Sequence, residues 1–197
     1  GGGSGQKNNS LPFTGPTPNA DKLREAIKQA GFREKGNELS NGGDITEELA
    51  NYGIALVKAV KAQTNLKLTF TGGNDAYHQK LSYVSRHASG RGLDFVISPR
   101  PPKIASSKGL SRSQLKAKYN AVAQANIKAI EDILKGFSAK YDQVRYLNEY
   151  YNPTLAATGP HFHTSWGTGT EGSANQKTAI AELKAKKINP QTIPGVA

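Results

Sequence analysis

The chain has four histidines, His78, His87, His161 and His163, and their neighbours decide what chemistry they could do. In SRHASGRGLD (85–94), His87 precedes Asp94 by seven residues, with Gly90 and Gly92 between them and an apolar run following. Glycine tolerates the backbone angles of a tight turn, so both side chains can reach one point. In HFH (161–163), a spacing of two on a strand puts both imidazoles on one face and Phe162 on the other. Two neutral imidazoles and one carboxylate form a ligand set suited to zinc, and three protein ligands leave a fourth position for water. Zinc lowers the pKa of its bound water to about 7 and polarises carbonyl groups. Amide hydrolysis further needs a base and a stabiliser of the oxyanion. Glu149 in LNEYY (147–151), on the strand before HFH, is the best placed carboxylate for the base, and His161 the best non-ligand donor to the developing charge.

The elements that must position these residues can be read from apolar spacing. A helix is predicted over 20–30, capped by Asn19, with Leu23, Ala26, Ile27 and Ala30 on one face and Gly31 ending it. Asp44 to Glu47 has capping-box spacing, and Leu49, Tyr52, Leu56 and Val60 continue as a second helix to about residue 63. The alternation in 66–71 and the apolar run 93–97 predict strands. Ser111 or Ser113 opens one long helix that Gly136 would stop. Strands over 143–151 and 161–166 and a last helix over 174–187 complete the series. This order lacks the strand–helix alternation of a doubly wound sheet, so the expected fold is α+β, a small antiparallel sheet packed with helices. Residues 1–18 read as a flexible linker or cloning remnant, 19–188 as the domain and 189–197 as a tail.

At the chemistry-bearing residues the chain resembles a known superfamily. SRHASGRGLD is similar to the S-x-H-x-x-G-x-A-x-D segment of D-alanyl-D-alanine carboxypeptidases, phage L-alanyl-D-glutamate endolysins and the hedgehog signalling domain, with Gly92 in place of Ala. HFH resembles the H-x-H of the penicillin-insensitive murein endopeptidases and hedgehog. The resemblance covers about half the chain, residues 66–166, and implies a hedgehog/DD-peptidase-like fold in which His87, Asp94 and His163 hold Zn2+ with His161 beside it. It departs from the pattern in two places. Glu149 stands fourteen residues before His163, farther than the superfamily's acidic residue stands from its last ligand, and a loop insertion at 152–160 would account for this. Where the carboxypeptidases carry a substrate-binding Arg in a segment like S-G-Y-R, this chain reads Thr71-Gly72-Gly73-Asn74-Asp75, which favours an endopeptidase.

Composition narrows the alternatives. The absence of cysteine excludes disulfide scaffolds, thiolate zinc fingers, Fe–S clusters and Cys nucleophiles. A net charge of +11 over 197 residues favours an anionic partner. The Lys and Arg residues are scattered, without a dense arm or a ribonucleoprotein-type aromatic motif, which argues against nucleic acid. No apolar run of about 18 residues is present for membrane insertion, and the opening residues lack a signal-peptide pattern. The expectation is a zinc metallopeptidase of bacterial peptidoglycan, a lytic module of a bacteriophage. It would act in the cell wall or periplasm or from the virion, with other phage tail proteins as possible partners. The rival readings are a zinc-stabilised cell-wall-binding module and a structural virion component. Tyr77 and His78 could border the cleft, Tyr150, Tyr151 and Trp166 could wall it, and Arg86 and Arg91 could bind peptide carboxylates, although surface or core roles are the commoner use of such residues.

Overall fold

The computed structural model describes residues 13–82, 85–152 and 159–167. The expected last helix (174–187) and the tail lie outside them. Helix α1 (Pro18–Gln29) leads to a short strand β1 (Arg33–Glu34) and then to helix α2 (Glu47–Gln63) and strand β2 (Lys67–Gly72). A single helical turn, α3 (Ala76–Gln79), precedes β3 (Gly92–Ser98). Helices α4 (Arg112–Lys118) and α5 (Ala121–Lys140) come before β4 (Val144–Asn148), a 3-10 turn (Glu149–Tyr151) and β5 (Phe162–Trp166). The strands form one sheet in the order β1-β2-β3-β5-β4.

The α+β class expected from the sequence is what the chain adopts, but the sheet is mixed rather than purely antiparallel. β1 pairs parallel with β2, Arg33 opposite Thr69, while the three other pairings are antiparallel. Helix α2 connects β1 to β2, and a crossover of this kind returns the chain in the same direction. Two charged residues are too few to show alternation, so β1 has no signature in the sequence.

Side chains alternate across the sheet. In β3, Leu93, Phe95 and Ile97 are buried while Asp94 and Val96 are less deeply covered. The buried set joins Phe70, Phe162, Trp166 and the apolar stripes of α1, α2 and α5 in one core. Tyr52 of α2 ties this core to β5. Its hydroxyl lies 2.6 Å from Thr164 Oγ1, which itself donates to the Arg145 carbonyl at 2.7 Å. A hydroxyl has one proton, so Tyr52 is the donor in this pair. Burial pushes the Tyr52 phenol up, keeping it protonated. Tyr52→Phe is expected to cost about 1 kcal/mol, measured by urea unfolding, because it removes one buried hydrogen bond and leaves an acceptor unfilled.

Several boundaries differ from the sequence expectation for physical reasons. Thr17 rather than Asn19 is the N-cap residue of α1, with Pro18 in the first turn. Asp44 reaches across to accept from the backbone N–H groups of Asn19 and Ala20, so it caps α1 from a distant loop. Thr46 caps α2 in its place. The single long helix is two, because Tyr119 is extended and Asn120 caps a new start by accepting from Ala123 N–H. The helix continues through Gly136, which is exposed and keeps a helical backbone. Strand 143–151 ends at Asn148, whose side chain accepts from Tyr150 N–H and turns the chain. Glu149 therefore sits on that turn and not on the strand.

Candidate metal centre

Opposite α1, α2 and α5, one row of residues crosses the sheet. Gly72 of β2 faces Asp94 of β3, Asp94 faces His163 of β5, and His163 faces Leu147 of β4. The register slips between Phe70 and Gly72, a bulge of the kind that re-aims side chains beside functional sites. A Cβ at Gly72 would lie 3.2 Å from Asp75 Oδ2 and 3.3 Å from Asp94 Oδ2, so glycine makes room for two carboxylates.

His87 comes to this row from the turn at 85–91. Gly90 N–H donates to His87 O and Arg91 N–H to Arg86 O. Gly90 has φ +76, and a Cβ there would meet Asp44 O at 3.0 Å, which disfavours any side chain on two counts. His87 Nδ1 is 2.9 Å from the Gly73 carbonyl. A carbonyl only accepts, so Nδ1 carries a proton and Nε2 is the nitrogen that faces the row, where as a neutral imidazole it would ligate a metal. Gly92 completes the approach, since a Cβ there would lie 3.1 Å from His163 Cε1 and 3.3 Å from His87 Cδ2.

The three sequence-expected ligands converge. His87 Nε2 is 3.2 Å from His163 Nδ1 and 3.2 Å from Asp94 Oδ1, and His163 Nδ1 is 2.9 Å from Asp94 Oδ1. Ligands about 2.0–2.2 Å from a tetrahedral zinc are separated by roughly 3.3–3.5 Å, so this triangle needs only a few tenths of an ångström of expansion. Burial by itself would raise the Asp94 carboxyl, but the charge of His87 and the hydrogen bond to His163 hold it well below the usual carboxylate range. The donor set is thus two imidazoles and one ionised carboxylate, which fits zinc.

His161 and Glu149 stand beside it. His161 Nε2 is 2.6 Å from Glu149 Oε2 and 3.7 Å from Asp94 Oδ1, and His161 Nδ1 is 3.0 Å from the Gly159 carbonyl. Both ring nitrogens face acceptors, so the ring is satisfied only as the imidazolium. Burial lowers its pKa, but the Glu149 hydrogen bond, the Asp94 charge and Gly159 O outweigh it and raise the pKa to about 9. The Asp94, His161 and Glu149 side chains keep 14%, 16% and 12% exposure, against 5% and 8% for His87 and His163. The centre therefore opens to solvent on the His161–Glu149 side. In the metal-free protein this pair should stabilise the fold fully below about pH 6.5, His161's ordinary value, and lose that contribution as pH rises through about 9. Urea unfolding between about pH 6 and pH 10 tests this: the stability gap between wild type and His161→Gln should close as pH rises.

The remaining candidates separate. Tyr150, Tyr151 and Trp166 are buried in the core and do not wall the cleft. Arg91 is buried and donates to Ser89 Oγ and Gly167 O, whereas Arg86 reaches Ser165 Oγ at 3.2 Å on the site face. Tyr77 is exposed. His78, for which a surface role was the commoner expectation, instead stacks on His87 with ring centroids 3.7 Å apart and planes 12° from parallel. Its partner Asp75 was not singled out from the sequence, although an Asp three residues before a His at a helix start is a legible capping signal. Asp75, His78 and His87 form a second group of potential ligands within 4.8 Å of one another. No protein-family model, curated protein or solved structure matches the chain.

Proposed function

We propose that the chain is a zinc-dependent peptidase that cuts stem peptides or cross-links in bacterial peptidoglycan, the lytic module of a bacteriophage. The observation that carries this reading is the His87–Asp94–His163 triangle with the Glu149–His161 pair at its solvent side. His87 Nε2, Asp94 Oδ1 and His163 Nδ1 would hold the metal. Bound zinc supplies Lewis acidity and an acidified water. Glu149, one oxygen of which is held by His161, accepts the proton of the attacking water and delivers a proton to the amine leaving from the broken C–N bond. The His161 imidazolium, fixed by Glu149 and Gly159, places its positive charge beside the oxyanion that forms on the amide carbonyl.

The substrate class is supported by the resemblance of SRHASGRGLD and HFH to peptidoglycan peptidases and by the +11 charge, which favours an anionic wall. The glycine-rich end of β2, where the carboxypeptidases the chain resembles carry an Arg, supports internal cleavage over removal of a C-terminal residue. The action would take place outside the bacterial cytoplasm or from a virion, with other tail proteins as partners. No described helix is long and apolar enough to cross a membrane.

Mass spectrometry of soluble fragments from purified peptidoglycan, incubated with zinc-loaded or chelated protein, tests the proposal. Zinc-dependent release of peptide fragments is expected, and their termini identify the bond. Walls of several chemotypes left intact by protein that still binds zinc would overturn catalysis in favour of a zinc-stabilised wall-binding module.

A further inference from the structure

The Asp75–His78 pair lies against a metal ligand without contributing a usable ligand of its own. Imidazole lone pairs lie in the ring plane, and the planes of His78 and His87 are nearly parallel with their centroids 3.7 Å apart. They cannot point at one ion about 2.1 Å from both. His78 Nδ1 is also taken, 2.7 Å from Asp75 Oδ2 and 2.9 Å from Asp75 Oδ1. The group therefore does not make a second metal site by itself.

What it does make is a brace. Asp75 is buried and accepts from His78 N–H at 2.9 Å and from Gly73 N–H at 3.2 Å. Its carboxylate thus fixes both the backbone and the ring of His78. The same Gly73 accepts from His87 Nδ1 through its carbonyl, and its N–H also donates to Glu38 O at 2.9 Å. A Cβ at Gly73 would sit 2.5 Å from Leu39 O, so this peptide is wedged against the loop before α2. His87 is consequently held along its edge by Gly73 O and across its face by the His78 ring, and Asp75 anchors both supports.

We infer that Asp75 and His78 are positioning residues that orient His87 as a metal ligand. This inference rests on reading the His87–Asp94–His163 triangle as a metal centre. Partners that fix the orientation of a ligating histidine typically change metal affinity by roughly 10- to 100-fold when removed. The stack is what His78 supplies, so a flat apolar ring should replace it and a methyl group should not.

The test is Zn2+ affinity of the full chain, measured by competition with a chromophoric chelator, with Co2+ absorption spectra as a report on ligand geometry. Wild type should bind one ion per chain. His78→Ala should bind roughly 10- to 100-fold more weakly with an altered Co2+ spectrum, and His78→Phe should recover most of the affinity and the spectrum. Melting temperatures of the metal-free variants, taken alongside, show that both are folded. Equal affinity in wild type and His78→Ala, failure of His78→Phe to recover affinity, or two ions per chain in wild type would each overturn the inference while leaving a metal centre in place. Wild type that takes up no zinc would overturn the metal centre itself, and the brace with it.

Discussion

Replacing His163 by Ala should abolish stoichiometric zinc uptake and lower peptide release from peptidoglycan by at least about a thousand-fold. The magnitude follows from the several kcal/mol of transition-state stabilisation that a catalytic metal supplies, with about 1.4 kcal/mol for each tenfold of rate. The substitution takes away one of three donors and the hydrogen-bond partner that helps keep Asp94 ionised. It should act locally, because His163 Nε2 has no hydrogen-bond partner among the described residues, and neighbouring Phe162 and Thr164 keep their places in the core. Metal content of the dialysed variant, with fragment release assayed beside it, checks the prediction. A variant that still holds one zinc per chain would show that His163 is not a ligand.

Glu149→Gln should separate metal binding from chemistry. The amide keeps the shape of the carboxyl but neither accepts a proton nor balances the His161 charge, so the rate of peptide cleavage should fall about 10²- to 10⁴-fold. Zinc content should stay at the wild-type level, since Glu149 contacts His161 and not the triangle of donors. His161, deprived of its strongest favourable partner, should titrate below about 9. Rate and metal content measured on one preparation, together with the His161 titration followed by NMR on metal-free protein, decide the matter. A loss of less than about tenfold in rate would remove Glu149 from the role of base.

The two predictions differ in how visible their residues are in the sequence. His87 and Asp94 are joined by one glycine-containing turn, and His161 and His163 by strand alternation. Both are local rules, and the tertiary structure brings these pairs to the same row. Glu149 is harder to place because fourteen residues separate it from His163. The antiparallel register closes that gap: Asn148 faces Phe162, so Glu149 and His161 are the next pair outward, joined by a backbone bond from Glu149 N–H to His161 O. Asn148 then bends the chain at the strand end, which brings the Glu149 carboxylate to His161.

The helices show the same division. The apolar stripes of α1 and α2 are legible because burial repeats with the helical period. Which polar residue caps which helix is not, as Asp44 shows by leaving its own helix to Thr46 and serving α1. A side chain with two acceptor oxygens caps whichever N-terminus folding brings within reach, and chain proximity does not decide that.

The sequence by itself determined the α+β class, the main helices and strands, and the set of histidines and acids from which a metal centre could be drawn. It could do so because turns, helix periodicity and strand alternation depend on neighbours a few residues apart. Tertiary structure alone decided the parallel pairing of β1, the meeting of Glu149 with His161 and the stacking of His78 on His87. Each of these depends on segments that touch only after the core around Phe70, Phe95 and Phe162 has packed, and contacts of that range leave no spacing in the chain to read.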